Sequence, residues 1–166
     1  MNSSISHKIK HREKGNDIFI TPLPLAKQQI DLIDNNIEYK WLDPCANSGN
    51  YYKQFPKDNK KDYCEILEDK DFFEYNEEVD VICSNPPYSI IDKWIDKTIE
   101  LNPKIFSYLL GHGALTTRRL EKIENAGYGI TKYHLCKVFK WYGMTTILQF
   151  EKGKESIFTF DRTIWR

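Results

Sequence analysis

Apolar residues along this chain fall into two kinds of run. In "FITPLPLAKQQIDLIDNN", Leu25, Ala26, Gln29, Ile30 and Ile33 recur at helical spacing. Thr21 is the expected N-cap there, with Pro22 at the first helical position and "DNN" closing the run. "SIIDKWIDKTIELN" carries a second stripe, with Ile90, Ile91, Trp94, Ile95 and Ile99 on one face, and "LTTRRLEKIENAG" reads as a helix closed by Gly127. Between these lie short strand-like runs: "YKWLDPC", broken by Pro44, then "KDYCEIL", "VDVICS" and "KIFSYLLG". "VDVICS" is nearly all apolar at its core, as a strand buried on both faces should be. "GITKYHLCKVF" and "TTILQFEKG" end the series, separated by "KWYGM" and no helix.

Strands alternating with helices predict a three-layer α/β fold with a mostly parallel sheet. The last two strands should form an antiparallel hairpin at or near the sheet edge. Residues 1–16 read as a flexible basic arm with Lys8, Lys10, His11, Arg12 and Lys14, and 17–166 as a single domain.

Composition adds constraints. The chain has 166 residues, 24 basic and 24 acidic, for a formal net charge of zero. A free-standing nucleic-acid binder usually shows a basic excess, so any such contact must come from local clusters. Lys57, Lys60 and Lys61 form one, and Arg118, Arg119 and Lys122 another. No apolar run is long enough to span a membrane and no secretory leader opens the chain, so a cytoplasmic protein is expected, in a host cell's cytoplasm if the source is viral. Cys45, Cys64, Cys83 and Cys136 form no CxxC pair and read as buried, unbridged thiols rather than metal ligands.

In open α/β sheets, ligands bind beyond the carboxyl ends of the strands. Three such ends carry suggestive chemistry. "LDPCANSGN" ends a strand in Asp43, turns at Pro44, and has Gly49 where a backbone must pass close to a ligand. Glu65 ends the second strand, where a carboxylate can accept both hydroxyls of a ribose. "DKDFF" offers Asp71 to an adenine amino group and Phe72 or Phe73 to its ring. Singly, each is an ordinary strand-end acid; their order and placement carry the signal. Neither GxGxxG nor GxxxxGK[ST] is present, which favours a nucleoside cofactor without phosphates.

"DPCANSG" resembles motif I of class I S-adenosylmethionine-dependent methyltransferases, and "SNPPY" resembles motif IV of their amino-methylating branch. "FITPLPLA" is similar to motif X of DNA adenine-N6 methyltransferases. The similarity spans about residues 16–152. It implies a Rossmann-like methyltransferase fold and S-adenosyl-L-methionine held by Phe19, Thr21, Pro22, Asp43, Pro44, Ala46, Asn47, Gly49, Glu65, Asp71, Phe72 and Asn85. It implies no metal. Catalysis would rest on Asn85, Pro86, Pro87 and Tyr88. The Asn85 side-chain oxygen and the Pro86 carbonyl would accept the hydrogens of a target amine, and Tyr88 would stack on the base. Phe139, Trp141 and Tyr142, in "VFKWYGM", would form the opposite wall. Arg118 and His112 are placed near the substrate, Arg118 with Arg119 as backbone contacts.

Two features depart from the family pattern. Asn47 stands where motif I usually has its first glycine, and asparagine tolerates the left-handed backbone better than most residues. No segment reads as a target-recognition domain. The expected substrate is therefore adenine in nucleic acid, DNA ahead of RNA, with a second subunit as a candidate reader of sequence. The alternatives are a protein glutamine-N5 methyltransferase and a non-catalytic subunit of the same fold.

Overall fold

A computed structural model describes residues 19–136 and 145–161. Helix α1 spans Leu23–Asp31, strand β1 Trp41–Asp43, β2 Lys61–Tyr63 and β3 Val81–Ser84. Helix α2 (Ile91–Leu101) leads to β4 (Ile105–Gly111) and α3 (Thr117–Asn125), then β5 (Tyr128–Cys136) and β6 (Thr145–Lys152). The strands form one six-stranded sheet in the order β2-β1-β3-β4-β6-β5. β1 to β4 pair in parallel, and β6 runs antiparallel to both neighbours. This is the Rossmann-like α/β architecture that the alternating pattern predicts, with the hairpin at one edge.

The apolar runs become strands because both of their faces are covered. Trp41, Val81, Cys83 and Ile105 face a layer built from Ala26 and Ile30 of α1 with Tyr51 and Phe55. Leu42, Ile82 and Phe106 face the opposite layer, made by Ile91, Trp94 and Ile95 of α2 and Leu120 and Ile123 of α3. Each large side chain so buried contributes roughly 1.5–3 kcal/mol. Cys64 and Cys83 are buried, unbridged thiols, and burial pushes the Cys64 thiol up to about 12. Among the described residues, no helix is long and apolar enough to cross a membrane.

Several boundaries differ from the sequence reading. Helix α1 starts one residue late, because Pro22 keeps an extended backbone (ψ 140°) and serves as the N-cap. Its carbonyl accepts the Leu25 and Ala26 N–H groups, so Thr21 is not the cap. The second strand stops at Tyr63, because Glu65 turns the chain by accepting the Leu67 N–H. The basic arm and the "VFKWYGM" aromatics Phe139, Trp141 and Tyr142 lie outside the described residues.

After β6 the chain turns back along β5. The Ile157 N–H donates to the Ile130 carbonyl, and the Ile130 N–H donates to the Ser156 hydroxyl. Gly129 permits this approach, since a Cβ there would stand 2.3 Å from the Lys154 oxygen.

Candidate functional site

From β1 the chain passes outward to β2, then crosses back to β3 on the other side of β1. The loops after β1 and β3 therefore diverge, which opens a crevice at the carboxyl ends of these strands. Asp43 and Asn85 sit at those two ends.

Asp43 is fully buried. It accepts the Ser84 hydroxyl at 2.8 Å, the Cys45 N–H at 3.4 Å and the Tyr52 N–H at 3.3 Å. Burial nevertheless pushes its carboxyl up to about 7, against the pull of these donors. Asp43 thus ties the loop of residues 44–50 to β3 from beneath. Within that loop Pro44, Ala46 and Gly49 are buried. Ala46 donates its N–H to the Cys64 carbonyl, and Gly49 donates to Ala46. Gly49 has φ +79° and Asn47 φ +49°, so asparagine adopts the left-handed conformation that the motif's glycine position demands.

Glu65 is brought to the loop but is already engaged. Its Oε2 accepts the Asn47 N–H at 2.7 Å and its Oε1 the Leu67 N–H at 3.1 Å. A carboxylate can accept about four hydrogen bonds, so these two do not preclude a diol. Asp71 caps the next turn by accepting the Phe73 N–H at 3.0 Å. That turn sends Phe72 inward, 2% exposed and 4.5 Å from the Trp94 ring. Phe72 is therefore a core residue rather than a wall for a bound ring, and Phe73, 39% exposed, is the aromatic that faces outward.

The "SNPPY" segment leaves β3 and turns into α2 through a short helical turn at Tyr88–Ile90. Asn85 donates its Nδ2 to the Thr21 hydroxyl at 3.2 Å, while its Oδ1 is buried with no partner among the described residues. An unpaired buried acceptor costs roughly 1–3 kcal/mol, so this atom marks where a donor belongs. The Cys45 thiol donates to the Asn85 carbonyl at 3.1 Å and lies 3.2 Å from the Ser84 hydroxyl, which stitches the first loop to the third. The Tyr88 hydroxyl donates to the Leu109 carbonyl at 3.1 Å, and the residue is 39% exposed. Phe19 and Pro22 lie at the mouth beside Thr21, both exposed.

The other candidates are more distant in role. His112 is exposed and lies 3.3 Å from the Tyr133 hydroxyl. Arg118 is exposed on α3. Arg119 is committed internally, with two bonds to Asp92 at 2.8 and 3.0 Å and one to the Ala114 carbonyl at 2.6 Å. It is thus withdrawn as a phosphate contact. Sequence reasoning missed Cys45, Ser84 and Tyr51 as parts of the site. For Gln29 the signal was present, as a polar residue on an otherwise apolar helical stripe.

No protein-family model matches this sequence, and no curated protein matches it. Solved structures do. A Pyrococcus horikoshii protein assigned as an RNA methyltransferase superposes with a TM-score of 0.65 at 17% identity, over 81% of this chain and 87% of that one. Magnesium protoporphyrin IX methyltransferase from Synechocystis, solved with SAM bound, gives 0.59 at 9% identity over 89% and 92%. The M protein of the type I restriction enzyme EcoKI gives 0.63 at 13% identity, over 82% of this chain but 44% of that one. At these identities the likeness establishes the fold.

Proposed function

We propose that this chain is an S-adenosyl-L-methionine-dependent methyltransferase whose target is the exocyclic N6 amine of adenine in nucleic acid. The observation that carries the reading is the buried Asn85 Oδ1 with no partner among the described residues, at the end of β3 beside the loop that Asp43 holds. The residues present fit such a cofactor. The loop of residues 43–49 supplies positive-φ positions where a backbone can approach a ligand, and Glu65 stands next to it. Likeness of fold to a methyltransferase solved with SAM bound supports the same assignment. When bound, the cofactor supplies an electrophilic methyl group on a sulfonium.

The chain's own residues act on the amine. An adenine amine is a poor nucleophile because its lone pair is delocalised into the ring. Asn85 Oδ1 and the Pro86 carbonyl accept its two hydrogens, which favours a pyramidal nitrogen with a freer lone pair. The two consecutive prolines fix the carbonyl's direction, so the acceptors need no reorganisation. Tyr88, anchored through its hydroxyl, offers its ring to the base, a contact worth roughly 1–3 kcal/mol in single-stranded complexes. Incubation with methyl-labelled cofactor, followed by separation of DNA, RNA and protein, tests the reading. Label on N6-methyladenine supports it. Label only on a protein glutamine transfers the site to the alternative amide substrate, and no label in any pool defeats both.

A further inference from the structure

Thr21 is buried, 4% exposed, while its neighbours Phe19, Ile20, Pro22, Leu23 and Pro24 are exposed. Apolar burial therefore does little to hold this segment, and hydrogen bonds to side chains do more. Asn50, in the loop after β1, donates its Nδ2 to the Thr21 carbonyl at 2.8 Å. A carbonyl only accepts, so the nitrogen end of the Asn50 amide is fixed toward it. Gln54 donates its Nε2 to the Leu23 carbonyl at 3.0 Å and to the Asn50 carbonyl at 2.7 Å, which ties Asn50 to the start of α1. The Thr21 hydroxyl accepts the Asn85 Nδ2 at 3.2 Å, from the end of β3. One residue thus meets both loops that diverge around the crevice. Asp43 joins the same two loops from beneath, through Ser84, and Thr21 joins them at the mouth.

We infer that Thr21 is a positioning residue, a clasp that fixes Asn85 to the loop of residues 44–50, and that Asn50 acts on Asn85 through it. This rests on the reading under Proposed function, because only there do the loop and Asn85 serve two different reactants, the cofactor and the target amine. A misplacement of about 1 Å between reacting groups can cost about 100-fold in rate. A tie between the two loops therefore bears on methyl transfer without Thr21 or Asn50 touching the amine. The β-branched side chain of threonine is stiff at χ1, so a shift of the Thr21 carbonyl is passed on to its hydroxyl.

The test uses the full chain and two independent readouts. Asn50→Asp keeps the shape and replaces the donor with an oxygen that only accepts. The Asn85 side-chain amide protons, identified by their loss in Asn85→Asp, should shift in the NMR spectrum of Asn50→Asp. In a Thr21→Val background, which lacks the hydroxyl, the same substitution should leave them where Thr21→Val alone puts them. Thr21→Ser, which keeps the hydroxyl, should retain the response. Turnover at saturating S-adenosyl-L-methionine should fall about three- to tenfold in Asn50→Asp, the scale of losing one hydrogen bond. The double variant should lose little more than the more impaired single one. If Asn50→Asp does not fold, Asn50→Leu serves in its place. Asn85 signals that stay in place in both Asn50 variants would overturn the clasp whatever the activity. So would signals that move as far in the Thr21→Val background as in wild type, which would route the influence through Cys45, whose thiol also bonds to Asn85. Signals that move only while residue 21 keeps its hydroxyl, in a protein that methylates nothing, would uphold the clasp and remove the proposed function instead.

Discussion

At the scale of single residues, two strand-end side chains have separable duties. With Asn85 proposed to accept from the target amine, Asn85→Ala should lower methyl transfer about 100-fold or more, the scale of losing a preorganised polar group. Cofactor affinity, followed by calorimetry with S-adenosylhomocysteine, should change little. Wild-type turnover in this variant would refute the assignment. Asp43 lies beneath the loop, and its effect is read through pH. Its native carboxyl, near 7, binds a proton more tightly than an unfolded aspartate does. The resulting stabilisation is full below about pH 4 and is lost as pH rises through 7. The melting-temperature advantage of wild type over Asp43→Asn should therefore shrink between pH 4.5 and pH 8. An advantage that grows over that range would contradict the buried-acid account. The strand-end positions of Asp43 and Asn85 were legible in the sequence because parallel strands read as apolar runs and their ends announce themselves, whereas Glu65 lies past the end of its strand, in the next turn. That Thr21 would meet the Asn85 amide was not legible, since residues 64 positions apart are joined only through tertiary packing.

At the scale of elements, the sheet and helices were legible because burial on both faces leaves a continuous apolar signature. The errors lie where a single polar side chain sets the phase of a turn. Asp71 capping Phe73 is what rotates Phe72 into the core, and no periodicity in "DKDFF" encodes that rotation. The same kind of local geometry governs the segment after β6. Gly129 is the only residue type that lets the Lys154–Glu155 backbone cross β5 so closely. Gly129→Ala should cost roughly 1–3 kcal/mol in denaturant unfolding, the usual scale for overpacking, and should speed proteolysis within residues 153–161. Gly113→Ala, where a Cβ would meet nothing within 4 Å, is the control and should be near neutral. Equal behaviour of the two variants would mean that the returning segment contributes nothing to stability.

At the scale of the whole molecule, a neutral net charge limits what duplex binding can supply. Flipping a paired base costs a few kcal/mol, and an unpaired adenine avoids that cost. Methylation of unpaired or mismatched DNA should therefore equal or exceed that of duplex, with little flanking preference and a decline on adding salt. Arg118→Ala should weaken this further, since Arg118 is exposed while Arg119 is held by Asp92. Sequencing of methylated positions on a mixed template decides the matter, and a sharply defined recognition sequence read by this chain alone would overturn it. The strand order carries a separate consequence, for the time course of assembly. β6 lies between β4 and β5, both of which precede it in the chain. β4 lacks its second neighbour, and β5 any neighbour, until Thr145–Lys152 inserts between them, so the pairing that completes the sheet is also the last to become possible. Such non-local closure is slow. Until it occurs, β4 is paired on one edge only, through β3, and β5 carries Ile130 on a strand with no partner, and both invite the wrong neighbour. A nascent chain stalled before Thr145 would thus be a client for a chaperone, holding half a sheet that it cannot yet close.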